Sequence, residues 1–134
     1  MVDINVILDV LLDRQPHAEA SARVWAAIET GKVAGALAAH AITTIHYLVR
    51  RERGASVARR AVTALPKVFR IVAVGEEVIR AALLLPGLDF EDNVTAAAAH
   101  MAGCDAIVTR DPKGYPNSPV PAITPEAAAE WLSA

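Results

Sequence analysis

The sequence has little of what several broad classes of protein require. It contains one cysteine, Cys104, which excludes a disulfide framework or a thiolate metal cluster and is expected to be a small buried hydrophobe. No apolar run reaches the length that spans a membrane, and no signal peptide is visible. A net charge of −2 gives no global attraction to nucleic acid or to an anionic membrane. These absences predict a cytoplasmic protein without a membrane partner.

Aromatic residues are also scarce, with two each of Trp, Tyr and Phe, whereas 54% of the 134 residues are hydrophobic. Such a composition excludes disorder and predicts one domain, residues 1–134, with a sizeable core closed by small and branched side chains. Short apolar strands, such as VFRIVAV at residues 68–74, alternate with helical patterns along the chain. This alternation is typical of an α/β fold whose parallel sheet is covered on both faces.

Several helix boundaries can be assigned from capping residues. Asn5 is placed as the N-cap of a helix over residues 6–12, and Pro66 is expected to end a helix over residues 56–65. Asp89 should start a long alanine-rich helix, and Thr124 followed by Pro should start the last one. Asp9 and Asp13 are assigned to the end of the first helix.

Three acidic residues are predicted to be functional because of their positions relative to strands. Asp3 follows the first apolar segment, Asp111 follows the strand at residues 106–109, and Asp92 begins the alanine-rich helix. The carboxyl ends of parallel strands meet at one edge of the sheet, where ligands collect. Carboxylates that converge there repel one another unless a hard cation such as Mg²⁺ or Mn²⁺ binds between them. Such a cation supports phosphodiester hydrolysis.

Each of these acids also has a purely structural interpretation, and the sequence leaves both open. Asp3 can cap the first helix, and Asp111 can be an ordinary turn residue before Pro112. Asp92 stands at the third helical position, where a carboxylate is stabilised by free N–H groups and the helix dipole. Glu91 is expected to be solvated.

A group of arginines forms a local basic patch despite the negative net charge. It is explained equally well by a solvated helix–helix turn and by contacts to RNA phosphates. Its members are Arg50, Arg51, Arg53, Arg59 and Arg60.

Three segments, DINVILDVLLDR, DFEDNVTAAAAHMAGCDAIVTRDPKGY and VPAITPEAAAEWL, together resemble a PIN domain. The most similar branch is that of the toxin ribonucleases of bacterial toxin–antitoxin pairs, in the variant with a D-F-E-D motif. The resemblance covers essentially the whole chain in order. It implies a three-layer α/β/α sandwich around a mostly parallel sheet of about five strands.

The resemblance also implies roles for individual residues. The matched catalytic and metal-holding acids are Asp3, Asp92 and Asp111. The matched supporting residues are Asn5 beside the first acid, Thr109 and Asp89, the extra acid of the D-F-E-D variant. The family's activity is RNA cleavage with Mg²⁺ or Mn²⁺, frequently as a homodimer that an antitoxin holds inactive.

Three departures from the family pattern are present. Ile4 replaces a small, usually hydroxyl, residue, and only two residues precede Asp3, so the first strand either is very short or begins upstream. His46 stands where the second acid is expected. It either ligates Mn²⁺ through a neutral imidazole or is a half-buried structural side chain. The alternative to an active nuclease is therefore a catalytically impaired PIN-like domain that binds RNA or protein.

A third hypothesis, a phosphotransfer domain, is disfavoured because Asn5 and Ile7 break the D-x-D-x-T pattern. The RNA target, the metal, the number of ions, the antitoxin and the true N-terminus are not specified by the sequence.

Overall fold

The computed structural model describes residues 1–133, in which short strands alternate with longer helices. In chain order the elements are α1 (Ile4–Leu11), α2 (Ala18–Glu29), β1 (Ala36–Ala38), α3 (Ala39–Arg53), α4 (Ala55–Val68), β2 (Arg70–Val72), α5 (Glu76–Ala82), α6 (Phe90–Met101), β3 (Ile107–Val108), a 3₁₀ turn (Pro112–Gly114), β4 (Ala122–Ile123) and α7 (Pro125–Ser133). The α/β class predicted from the sequence is confirmed.

The strands form two short parallel pairs, β1 with β2 and β3 with β4. The N-terminal residues lie between the pairs: the Val2 N–H donates to the Ala36 carbonyl at 2.8 Å, and the Asp3 N–H donates to the Val108 carbonyl at 2.9 Å. Val2 also forms a parallel bridge with Val108. The predicted central sheet of about five strands is not confirmed, because the described residues form these two pairs and a single bridge.

At β2 the strand begins later than the apolar run VFRIVAV predicted, because the preceding helix extends further. Pro66 does not end its helix; it lies in the last turn of α4, and the Leu65 carbonyl still accepts the Phe69 N–H at 2.9 Å. Proline removes only its own N–H from that turn. Val68 therefore belongs to the helix, and β2 keeps only three of the seven residues of VFRIVAV.

Helices pack against the strands through two groups of buried side chains. One group joins α1, α2, α3 and α4 around residues such as Leu8, Leu37 and Ile45. The other joins α5 and α6 to the strands and includes the alanine run at residues 96–99, whose small side chains allow a close approach. Cys104 is half-buried against this second group. No helix among residues 1–133 is long and apolar enough to cross a membrane.

The first helix starts two residues earlier than the sequence predicted. Its N-cap is Asp3, whose Oδ1 accepts the Ile4 N–H at 2.7 Å, and Asn5 is an exposed residue inside the first turn. Asp9 was also misplaced, since it is fully buried within α1 and does not end the helix. The caps predicted at Asp89 and Thr124 are confirmed: each side chain accepts a backbone N–H of the helix that follows.

Candidate active site

Asp3 is a buried carboxylate at the carboxyl end of the N-terminal segment. Its Oδ1 caps α1, and its Oδ2 accepts the Thr109 hydroxyl at 2.8 Å. Burial raises the pKa of the Asp3 carboxyl, and the hydrogen bonds from Thr109 and Ile4 oppose that increase. The carboxylate is thereby held in one orientation by two donors from different parts of the chain.

Thr109 connects Asp3 to the segment that follows β3. Its side chain is almost completely buried, and the oxygen that donates to Asp3 also accepts the Asp111 N–H at 3.1 Å. Because a hydroxyl can donate and accept at the same time, one side chain fixes both acidic residues. The supporting role that the resemblance implied for Thr109 stays a prediction, and these two hydrogen bonds are the contacts through which it would act.

Asp92 and Asp111 approach each other at Gly114. A Cβ atom at Gly114 would stand 3.0 Å from the Asp92 Oδ2 and 3.3 Å from the Asp111 Oδ2. Both carboxylate oxygens therefore border the position that a side chain at residue 114 would occupy. The structure thus brings two of the predicted acids together here, while Thr109 links Asp111 to the third.

Asp92 is affected both by burial and by the charges of the neighbouring carboxylates. Burial and the charges of Asp3 and Asp89, followed by those of Glu91 and Asp111, raise the pKa of Asp92 to about 7. Burial also raises the pKa of Glu91, an increase that the nearby His40 opposes. Glu91 is half-buried, so the expectation that it is solvated was wrong. The site therefore concentrates more acidic groups than the three predicted.

Three further polar side chains at this edge were not among the predicted site residues. The Tyr115 hydroxyl is buried beside Asp3 and Thr95 without a hydrogen bond of standard geometry. Burial and the charges of Asp3 and Asp92 raise the pKa of Tyr115, so it stays protonated. The His40 Nε2 lies 3.5 Å from the Thr95 hydroxyl. Only His40, two residues beyond the end of β1, carried a sequence signal, namely its place after a strand.

The structure does not bring the remaining predicted residues to the acids by any hydrogen bond or ion pair within residues 1–133. Asn5 is exposed on α1, and His46 is half-buried on α3. The five arginines are all exposed on α3 and α4, and Arg53 donates to the Leu12 carbonyl at 3.2 Å. Arg50 is ten residues from His40 along α3, about 15 Å at the rise of an α-helix. The patch is thus remote from the acidic edge along this helix.

The acidic edge fits a divalent cation by the chemistry of its donors. Carboxylate oxygens are the ligands that Mg²⁺ and Mn²⁺ prefer, and one oxygen each of Asp92 and Asp111 comes close to the same point beside Gly114. Among residues 1–133, however, no three His, Cys, Asp or Glu side chains stand in positions that could hold a metal ion without adjustment. Binding would therefore require side-chain movement, and a cation there would relieve the repulsion that raises the pKa of Asp92.

Comparison with known proteins gives a family and a fold. The family model described as PIN domain matches residues 1–113. Among solved structures, the chain is similar to one in a toxin–antitoxin complex from Klebsiella pneumoniae, with a TM-score of 0.68 and 16% identity over 92% of this chain and 95% of that chain. No curated protein sequence matches.

Two further structures have the same fold. One is VapBC2 from Rickettsia felis bound to a promoter DNA fragment, with a TM-score of 0.70 and 12% identity over 92% of this chain and 96% of that one. The other is Mycobacterium tuberculosis VapC20, described as a Sarcin-Ricin loop cleaving toxin, with a TM-score of 0.66 and 17% identity over 79% and 85%. At such low identities the likeness concerns the fold alone.

Proposed function

The chain belongs to the PIN domain family, and on that premise we propose that it is a metal-dependent ribonuclease of the toxin type. The observation that carries this proposal is the connection between the acids. Asp3 is joined to Asp111 through the Thr109 hydroxyl, and one oxygen each of Asp111 and Asp92 comes close to the same point beside Gly114. A similar fold in a Sarcin-Ricin loop cleaving toxin supports RNA as the substrate.

Asp3, Asp92 and Asp111 are the residues that hold the cation, Mg²⁺ or Mn²⁺, in this proposal. When bound, the cation supplies a Lewis acid that activates water and stabilises charge on the phosphate. Asp3 keeps a fixed orientation because Ile4 and Thr109 donate to it. Asp92, with a pKa of about 7, is partly protonated at neutral pH, so cation binding should release a proton from this residue.

The remaining expectations belong to the same proposal. The exposed arginines of α3 and α4 hold the RNA backbone without selecting a sequence. An antitoxin and a second copy of the chain are the protein partners, in the cytoplasm. Solvent-exposed leucines after α5 provide apolar surface for such contacts, namely Leu83, Leu84 and Leu88.

The proposal is tested by cleavage of a mixed RNA pool with Mn²⁺, with Mg²⁺ and with EDTA. We expect wild-type protein to cut only with metal, and Asp3→Asn to reduce cutting at least about 100-fold because one oxyanion ligand is lost. Asparagine is as good an N-cap as aspartate, so α1 should still form. The folded state of the variant is checked by circular dichroism.

Asp13→Asn is the matched control, because Asp13 is an exposed residue just beyond the other end of α1. Its backbone has a positive φ of 50°, which asparagine tolerates. We expect this variant to cut like wild type. If folded wild-type protein cuts RNA with neither metal, the proposal is wrong. Retained RNA or protein binding would then favour the catalytically impaired domain.

A further inference from the structure

An ion pair between a fully buried carboxylate and a partly buried arginine joins α1 to the segment that carries Thr109 and Asp111. Asp9 is completely buried in α1, and its Oδ2 lies 3.1 Å from the Arg110 Nε. The Ser21 hydroxyl on α2 donates to the same oxygen at 3.2 Å. Asp9 and Arg110 are 101 residues apart in the chain, so this contact fixes two remote segments to each other.

Stability alone is a poor explanation for this pair. Buried ion pairs stabilise a fold weakly, because both charges lose their hydration. The Asp9 Oδ1 is buried without a hydrogen-bond partner among residues 1–133, and an unsatisfied acceptor of this kind adds to the cost of burial. An apolar pair of similar size would hold α1 in place without that cost.

The pair gives the segment after β3 a second attachment to α1. The first attachment is the hydrogen bond from Thr109 to Asp3 at the start of the helix. The second is Arg110 on Asp9, six residues further along α1, about 9 Å at the helical rise. A second attachment, separated from the first, restricts the rotation that a single attachment would allow. Asp111 follows directly after the second point.

We propose that Asp9 and Arg110 are positioning residues that fix the direction in which Asp111 presents its carboxylate to Asp92 and the cation. This inference rests on the proposed function, since it assigns the pair to the same metal site. The pair acts through Asp111 and does not itself bind metal. When the pair is removed, the three acids remain in the chain, but we expect the Asp111 carboxylate to adopt a wider range of orientations.

The test compares Arg110→Gln and Asp9→Asn with wild type in two measurements. Mn²⁺ affinity is measured without RNA by electron paramagnetic resonance, and kcat and KM are measured on a cleaved RNA. We expect Mn²⁺ affinity to fall about 10-fold, as for residues that orient metal ligands. The value of kcat should fall while KM is unchanged. The double variant should be no worse than either single one, because the two side chains act as a unit.

Arg14→Gln is the matched control. Arg14 lies 3.7 Å from Glu52, and its side chain is 29% exposed, compared with 28% for Arg110. It therefore removes an arginine of equal exposure from an ion pair that does not involve the segment after β3. We expect this control to leave both Mn²⁺ affinity and kcat unchanged.

Three outcomes would overturn the inference. Unchanged Mn²⁺ affinity with a lower melting temperature means that the pair is structural only. An increase in KM alone means that Arg110 contacts RNA. An equal loss in Arg14→Gln means that any lost ion pair has this effect. If the neutral variants do not fold, Arg110→Lys keeps the charge but not the planar guanidinium, and we expect a smaller loss of affinity.

The two proposals fail separately. If wild-type protein cuts no RNA, the proposed function is wrong, but Mn²⁺ affinity still decides whether the pair orients the acids. If wild-type protein cuts RNA and the pair variants bind Mn²⁺ normally, only the positioning role is wrong.

Discussion

The two ends of the parallel strands differ in charge and in shape. At the carboxyl ends stand Asp3 and Asp111, with Asp92 from α6 facing them. At the amino ends lies a cavity of about 240 Å³. It is bordered mostly by apolar side chains such as Val24, Ile28 and Trp131, with Arg70 and Asp105 at its margin. The acidic residues lie at one end and this cavity lies at the other.

Under the proposed function, the site is located by charge and not by enclosed volume. Ligand pockets for small molecules are usually concave and apolar, as the cavity at the amino ends is. A nucleic acid chain instead needs an accessible edge at which a cation can meet a phosphate. At the acidic edge, burial together with the charges of the neighbouring carboxylates raises the pKa of Asp92.

The largest expected difference between the two ends is in RNA cleavage. Asp105 and Asp111 flank β3 at its amino and carboxyl ends, and both are exposed. We expect Asp111→Asn to lower the cleavage rate about 100-fold, because a cation ligand loses its charge, and Asp105→Asn to leave it unchanged. The measurement is the initial rate on one RNA with saturating Mn²⁺. Equal losses in both variants would remove the functional distinction between the ends.

A smaller effect is expected on stability in EDTA. A pKa of about 7 for Asp92 exceeds the usual aspartate value, so the folded protein binds this proton more tightly than the unfolded chain does. Its contribution to stability is present below about pH 4 and is lost as the pH rises to about 7. Asp92→Asn should therefore be more stable than wild type at pH 8, by about 1–2 kcal/mol after allowance for solvent screening.

Urea unfolding at pH 4 and pH 8, with EDTA throughout, measures this difference. Wild type and the variant should have similar stability at pH 4. Asp105→Asn serves as the control from the amino ends and should follow wild type at both values. A gain for Asp92→Asn that is equal at both pH values would contradict the electrostatic origin.

The smallest effect is expected from filling the cavity. Ala106 borders it just before β3, and Ala106→Val adds two methyl groups there. We expect the free energy of unfolding to rise by no more than about 1 kcal/mol and the cleavage rate to stay unchanged. Urea unfolding and the RNA assay check both points. Slower cleavage by a stable variant would show that the two ends are coupled.

Sequence rules for strand ends and helix caps predicted those features of the structure that depend on residues close together in the chain. The position of Asp3 and Asp111 after strands was sufficient to place them at one edge, because parallel strands share their carboxyl ends. Asp89 and Thr124 were recognised as N-caps from the residues that follow them. For the first helix the same rule chose the wrong residue, because Asn5 and Asp3 are both good caps and the tertiary contact with Thr109 decided between them.

Contacts between remote segments could not be predicted from the sequence. Asp9 has the spacing of a helix-ending residue, and only the packing of α1 against Arg110 makes it a buried ion partner. The burial of Tyr115 beside Asp3 depends likewise on the turn after Asp111. The family pattern pointed to His46 as a possible metal ligand. The histidine that lies near α6 is instead His40, whose Nε2 is 3.5 Å from the Thr95 hydroxyl.

Gly114 places a restriction on sequence change that its chemistry does not suggest. Its backbone does not adopt the left-handed conformation that ordinarily demands glycine, so alanine is compatible with the local chain. The restriction comes from the carboxylates of Asp92 and Asp111, which already occupy the surroundings of the missing methyl group. We therefore expect a substitution at position 114 to be compatible with folding but to impair catalysis. Variation among relatives at a residue without any functional group can then report whether selection maintains the proposed nuclease activity.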